Sequence, residues 1–504
     1  MRHTFATLLT LGLLFFSAAA GYSQSAEDAE LREEAELKGE SAQKNGDLDL
    51  AIANFSEAIR LDPKFTSAYN NRGLAYYNKG KYDTAIADFS EVIRLDPKLT
   101  LAYSRRADAY SNKGNYDKSL ADYSEVIRLD PKFTRAYVGR SDAYGHKGDH
   151  DKAIADSIEA IRLDPKSAGA HNSLGVAYEG YAKGMLRADA KAAESLFDRA
   201  SENFDGPPRK LDAAQQQLPP AGSIENFRAA TRKLDRAHKV QLLFDYSAAA
   251  FKAAIDIQPD YDFGNNNLGV YYARRGGPED TKLAENYFRE ALRSNQRYAD
   301  AYNNLGIVLA RQGKLDESIA SHKAGLNVRN DRASDHNNLC RVYMQKYDLD
   351  FKKGDIDNAK GDLDNASKEI SISLKCDPNF LDAWMNRAEI SLKQDNPGQA
   401  ARCARRMVAI DANAPETIRT QLMFARHCLD RNRLDEGIDF LNQSLKNNDA
   451  VPDIYHARGL FYWKKGDWKR AEEDLAQTER LSPRFPGIRE KLKEVRRQLV
   501  QPPK

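Results

Sequence analysis

The sequence predicts an all-α solenoid of about twelve helix-turn-helix units set in two blocks, and three observations predict it. The motif Arg-Leu-Asp-Pro stands at Arg60 to Pro63, Arg94 to Pro97, Arg128 to Pro131 and Arg162 to Pro165, its prolines 34 residues apart each time. Pro259, Pro378 and Pro483 carry the series on, each lying a whole number of periods plus an insertion beyond the proline before it. Between prolines, apolar and small residues return at fixed offsets, and Gly or Pro marks each helix end. Self-similarity at a fixed period outranks any estimate of domain number from the 504-residue length.

With Pro as position 32, Tyr69, Gly73, Tyr76, Ala85, Phe89 and Pro97 occupy positions 4, 8, 11, 20, 24 and 32. Tyr103, Ala107, Tyr110, Ser119, Tyr123 and Pro131 repeat that order, as do Tyr455, Gly459, Tyr462, Ala471, Leu475 and Pro483. Spacings of 3, 4 and 7 put the large groups on one helical face. Small residues at positions 8 and 20 let two antiparallel helices approach. Lys79-Gly80 and Lys113-Gly114 end first helices, because Gly accepts the left-handed cap, and Asp-Pro ends second helices, because Pro cannot continue one.

On these residues the chain resembles the tetratricopeptide repeat family, whose unit is a 34-residue helix hairpin. The resemblance runs from Asp28 to about Pro486 with interruptions, and several units are degenerate: His322 stands for the aromatic at position 24, Gln296 for the terminal Pro, and His336 for the aromatic at position 4. It implies a right-handed solenoid, a groove lined by the first helices, and a partner that is a protein or an extended peptide. Because one unit cannot bury its own apolar face, stability comes from stacking.

Taken in order, residues 1–20 read as a secretory signal peptide. Arg2 and His3 give a positive start, Phe5 to Phe16 is apolar but short for a membrane span, and Ala18-Ala19-Ala20 offers small residues for cleavage. No Cys follows, which excludes a lipoprotein anchor. An N-terminal array covers 28–206. Pro207-Pro208 and Pro219-Pro220 bracket a polar linker over 207–223, and a C-terminal array covers 224–486. Residues 487–504 form a capping helix and tail, with Ile488, Leu492, Val495 and Leu499 on one side. The leader implies an exported chain, periplasmic or secreted, resembling bacterial envelope proteins of the family, with no membrane span once matured. The acidic insertion over 348–364 reads as a solvated loop, since no start within it gives a calcium-loop ligand spacing.

Composition narrows the function. With 76 Lys+Arg against 74 Asp+Glu, the chain lacks the basic excess of a nucleic-acid binder. Four cysteines, Cys340, Cys376, Cys403 and Cys428, are too few for a disulfide scaffold and read as buried thiols, although Cys403 and Cys428 fall on neighbouring helices. No metalloprotease, nucleophile-elbow, phosphate-loop or dinucleotide motif occurs, so no catalysis, metal or cofactor is expected.

Two sets of residues stand out. Arg72, Arg106, Arg140, Arg387 and Arg458 take position 7, where Leu268, Leu305 and Leu339 stand in other units. Four of them have Asp sixteen residues later: Asp88, Asp122, Asp156 and Asp474. Positions 7 and 23 face each other across the hairpin, so these four pairs are expected to be structural ion pairs; Arg387 has Cys403 opposite. Position 6, on the groove side, carries Asn71, Asn267, Asn304, Asn338 and Asn386, and position 5 adds Asn70, Asn172, Asn266, Asn303 and Asn337. An amide offers both donor and acceptor and can read one peptide unit. The set resembles the asparagine ladders of peptide-binding members of the family. The first array differs, with Arg105, Gly139 and Ser173 at position 6 and Asp108 and Asp142 at position 9, and it does not assemble the carboxylate clamp of chaperone-binding relatives.

The sequence thus points to a non-enzymatic interaction module that holds a protein or peptide in its groove. The alternatives are a structural scaffold of an envelope or polysaccharide-export assembly, and, more weakly, an enzyme with its site in the 179–239 insertion, which offers only His238 and scattered carboxylates.

Overall fold

A computed structural model describes residues 28–187 and 236–500. The signal-peptide segment, the linker over 207–223 and most of the 179–239 insertion lie outside the described residues. Among those described there are twenty-three helices and no strand. The chain divides into two compact units, Met1–Gly277 and Pro278–Lys504.

In the first unit, α1 spans 28–44, followed by α2 (Leu48–Leu61), α3 (Thr66–Asn78), α4 (Tyr82–Leu95), α5 (Thr100–Asn112) and α6 (Tyr116–Leu129). Then come α7 (Thr134–Lys147), α8 (His150–Leu163), α9 (Ala168–Arg187), α10 (Arg236–Ile257) and α11 (Asp262–Arg275). The second unit begins with α12 (Pro278–Ser294), α13 (Ala299–Arg311), α14 (Leu315–Val328), α15 (Ala333–Lys353) and α16 (Ile356–Cys376). It continues through α17 (Leu381–Lys393), α18 (Pro397–Ile410), α19 (Pro415–Asp430), α20 (Leu434–Asn447), α21 (Pro452–Lys465), α22 (Trp468–Leu481) and α23 (Ile488–Val500).

Local chemistry sets the hairpins. The first-helix turns use left-handed glycines, among them Gly80, Gly114, Gly148 and Gly466 with φ between 72° and 81°. Asp395 and Asn432 adopt the same region at φ 53° and 55°, as short side chains that bond locally can. The Asp-Pro motif closes the other turn: the Asp62 carboxylate accepts the Lys64 N–H at 2.9 Å, and Asp96, Asp130 and Asp164 accept from Lys98, Lys132 and Lys166 at 3.0 Å. Each is an Asx turn that fixes the exit from a second helix while Pro stops it. The arginines of the same motif make exposed bonds to a Glu three residues back, as Arg60 does to Glu57 at 2.7 Å, and such pairs contribute little.

The core is a row of rings under small residues. Phe55, Phe89, Phe251 and Phe288 at position 24 are fully or almost fully buried. A Cβ on Gly73 would lie 2.8 Å from the Phe89 ring, so only Gly permits that approach. The fourth hairpin replaces ring and glycine by a hydrogen bond, Ser141 Oγ to Ser157 Oγ at 2.7 Å. In the first unit each first helix also meets the next first helix, α3 with α5, α5 with α7, α7 with α9 and α9 with α11. The first helices therefore lie on the inner side of that unit's curve.

Two segments differ from the sequence reading. The acidic stretch over 348–364 is not a loop: α15 and α16 are each 21 residues long and pack along their length, with Asp350 and Asp362 only 8% exposed. The helical period continues through the acidic residues, so the hairpin grows instead of opening. Further upstream, α9 packs on α10 across the undescribed segment, so the fifth hairpin straddles it, and the compact units part instead at Gly277. Cys340, Cys403 and Cys428 are buried free thiols, whereas Cys376, at the end of α16, is exposed. At the C-terminal end Ile488, Leu492 and Val495 of α23 are buried against the last hairpin.

Candidate binding face

The position-7 arginines hold the hairpins rather than facing a ligand. Arg72 donates from Nε to Asp88 Oδ2 at 2.9 Å and from Nη2 to Asp88 Oδ1 at 2.7 Å. Arg106 with Asp122, Arg140 with Asp156, and Arg458 with Asp474 repeat this two-pronged contact at 2.7–2.8 Å. The third nitrogen reaches backward: Nη1 of Arg72, Arg106, Arg140 and Arg458 donates to Ser56, Ser90, Ser124 and Asn442 of the preceding second helix, at 3.1, 3.0, 3.2 and 2.6 Å. Each guanidinium thus joins three helices. Bonding to the Asp carboxylate holds the Arg72, Arg106 and Arg140 guanidinia above their ordinary pKa. Sequence reading missed the Ser and Asn partners, though their constant offset of sixteen residues before the Arg was a readable signal.

The position-6 asparagines lie on the first-helix face, and three of them are tied to the previous repeat. Asn267 Nδ2 donates to Asn172 Oδ1 at 3.0 Å, Asn338 to Asn303 at 3.1 Å, and Asn386 to Asn337 at 2.8 Å. Asn71 accepts from Asn70 at 3.5 Å. Asn71, Asn267, Asn304 and Asn338 are half-buried, while Asn386 is only 5% exposed, so Asn386 serves as a lock between repeats more than as a contact surface. For the Asn303–Asn338 pair the offset is 35 residues, one period plus one, because position 6 of a repeat meets position 5 of its predecessor.

The same face of the first unit is charged and partly apolar. Asp108 accepts from Arg135 at 2.9 Å and from the Tyr123 hydroxyl, which reaches the face beneath Gly139. Asp142 accepts from Ser173 at 2.8 Å. Asp142 is exposed on this face, and desolvation by the protein around it pushes its carboxyl up to about 6. Desolvation, with Arg135 nearby, lowers the Arg105 pKa, and Arg105 Nη1 is buried with no partner among the described residues. Leu37, Leu101, Val176 and Phe263 stand exposed at positions 6, 2, 9 and 2 of their first helices. Arg135 and Tyr123 were not read as part of this face from sequence, since Tyr123 belongs to a second helix.

Among the described residues no group of three or more His, Cys, Asp or Glu side chains could hold a metal ion. Among them, too, no helix is long and apolar enough to cross a membrane.

Models of the tetratricopeptide repeat match residues 37–99 and 279–324, 100–133, and 142–180. The chain is a tetratricopeptide repeat protein, an all-α repeat scaffold of the class that binds other proteins. Among solved structures it is similar to a tetratricopeptide repeat protein from Parabacteroides merdae, at 15% identity over 62% of this chain and 99% of that one, with a TM-score of 0.42. It is similar also to a MamA protein, at 25% identity over 33% of this chain and 96% of that one, TM-score 0.29. A third is the Arabidopsis OM64 TPR domain, at 27% identity over 24% of this chain and 98% of that one, TM-score 0.23. No curated protein matches the chain.

Proposed function

We propose that this protein is a non-enzymatic interaction module that captures an extended segment of a partner protein along its first-helix face, after export from the cytoplasm. The observation that carries the reading is the pinned amide. Asn267 and Asn338 each spend one Nδ2 bond on the repeat before and remain half-buried on the face. An amide carries a second N–H and carbonyl lone pairs besides. Fixing it in advance lowers the rotamer entropy lost when a peptide backbone bonds to it. Each such bond gives only about 1 kcal/mol net, so affinity requires several repeats in line. Exposed Leu37, Leu101, Val176 and Phe263 supply apolar contact on the first unit's face, and the Asp108 and Asp142 carboxylates favour basic residues in the bound segment. Export is supported by the Arg2-led, apolar Phe5 to Phe16 stretch followed by Ala18-Ala19-Ala20.

A selection of displayed random peptides against the mature chain supplies a ligand. Replacing Asn304 and Asn338 of the second unit together by Ala is expected to weaken a peptide held there by roughly thirtyfold, since two bonds of about 1 kcal/mol are removed, and Asn71 with Asn267 makes the matching variant of the first unit. Circular dichroism at the assay temperature checks that the helices persist. Unchanged affinity in a folded variant rejects the amide row as the contact.

A further inference from the structure

Arg387 stands at the same repeat position as the four paired arginines, and its surroundings differ in one place. Nη1 still donates to the preceding second helix, at 2.5 Å to Ser371 Oγ, as Arg72 does to Ser56. The guanidinium is therefore anchored on the same side as its four counterparts. The residue sixteen positions on, Asp in those repeats, is Cys403. Among the described residues no carboxylate lies within ion-pair distance of Arg387. The Cys403 thiol does not replace one: burial pushes it up to about 11, so it stays protonated and neutral. A single sulfur also lacks the two coplanar oxygens that a carboxylate presents to the fork.

Beside Arg387 is a cavity of about 240 Å³, lined also by Ser367, Ile370, Ile390, Ser391, Gln394, Asn396 and Gln399. A water needs only about 10–15 Å³ of such space, so a group of several heavy atoms fits. The lining is mainly uncharged hydrogen-bonding groups with one cation. Asn396 caps the first turn of α18 and Gln399 stands in that turn, so the helix end adds positive potential to the same space. Gln399 Nε2 has only the Cys403 sulfur, at 3.9 Å, as a partner among the described residues.

We propose that Arg387 and this cavity form a binding site for a small carboxylate, which docks on the fork that aspartate occupies in the other four repeats. The carboxylate oxygens meet Nε and Nη2, the two nitrogens that hold Asp88, Asp122, Asp156 and Asp474 elsewhere. A planar two-oxygen anion matches the fork in a way that a point charge does not. The site lies wholly within the second unit and is independent of peptide capture on the first-helix face.

The test is calorimetric titration of the full mature chain with sodium acetate, against sodium chloride at matched ionic strength, with inorganic phosphate as a third titrant. The wild-type protein is expected to give a saturable acetate heat. Arg387→Leu removes the fork using the residue that Leu305 and Leu339 already place at this position, and the heat is expected to vanish. Cys403→Asp fills the fork from within; it too is expected to abolish the acetate heat, while raising the urea midpoint. No saturable heat in the wild type, or an acetate heat that survives Arg387→Leu, overturns the site. Phosphate binding tenfold tighter than acetate overturns the carboxylate assignment. If Cys403→Asp does not fold, the Arg387→Leu comparison decides alone.

Discussion

In the hairpins from α3 to α8, position 7 is an arginine that clasps an aspartate in its own hairpin and a serine in the one before. From α13 to α16, Leu305 and Leu339 stand there instead, 7% and 0% exposed, and the partner position carries Ser321 or Glu369. Those groups turn to other work: Ser321 Oγ bonds the Tyr302 carbonyl at 2.8 Å, and Glu369 bonds His336 Nδ1 at 2.7 Å. Attachment to the preceding repeat then falls to the Asn303–Asn338 amide pair on the inner face. The first region sets its register with directional charge inside the hairpin, and the second with apolar packing inside and neutral amides on the face. Stability therefore responds to different insults in the two regions.

The largest expected effect comes from breaking a fork on one side only. Asp122→Ala leaves Arg106, 19% exposed, without its carboxylate and should cost on the order of 3 kcal/mol in urea denaturation. The double replacement Arg106→Leu with Asp122→Ser, copied from Leu305 and Ser321, should cost less than about 1 kcal/mol, because a packed apolar pair substitutes for a partly buried ion pair. A double variant as unstable as Asp122→Ala would mean that the two designs are not interchangeable.

A smaller effect, of opposite sign, belongs to the second region. His322 fills the ring position above Gly306, 2% exposed, and neither of its ring nitrogens has a partner among the described residues. Burial lowers its pKa to about 4 from 6.5, so the unfolded chain takes up a proton that the folded chain refuses between those values. Stability contributed by the neutral ring is complete above about 6.5 and is lost as pH falls toward 4. His322→Phe restores the ring that packs on Gly73 and Gly175 in other hairpins, and should stabilise by about 1–2 kcal/mol at pH 8. The gain should be larger at pH 5, as read from paired urea curves; a gain independent of pH would refute the titration.

The smallest effect tests a feature common to both regions. Lysines at position 14, the cap of α5 and an interior residue of α15, reach an aspartate thirty residues earlier, as Lys113 does to Asp83 at 2.5 Å and Lys346 to Asp316 at 2.6 Å. Lys346→Met should cost under about 1 kcal/mol, and less still in high salt, since its Asp partner is exposed to water.

The hairpin fold was legible because its determinants are local and recur: a left-handed Gly, an Asx turn ahead of a proline, and a ring opposite a small residue. Composition misled at the acidic stretch over 348–364, whose charged residues resemble a loop although Asp348 to Lys353 and Ile356 to Asp364 continue two helices. Likewise the inner face was only half legible. The positions of Asn267 and Asn338 followed from the register, whereas their bonds to Asn172 and Asn303 depend on contact between successive hairpins, which one repeat alone does not contain. Cavity and fork at Arg387 show the converse case: the absence of Asp at residue 403 was visible, but the space left beside it was not.

The backward reach of each arginine makes the early hairpins interchangeable parts. Removing residues 100–133 would bring Arg140 against Ser90 and Lys147 against Asp83, the clasps that Arg106 and Lys113 make today. Excision of that period keeps the arginine–serine and lysine–aspartate clasps matched, while the Asp108–Arg135 pair on the inner face is lost with it. The length of this stretch is thus a property the gene can adjust in steps of 34 residues while these clasps re-form at each new seam.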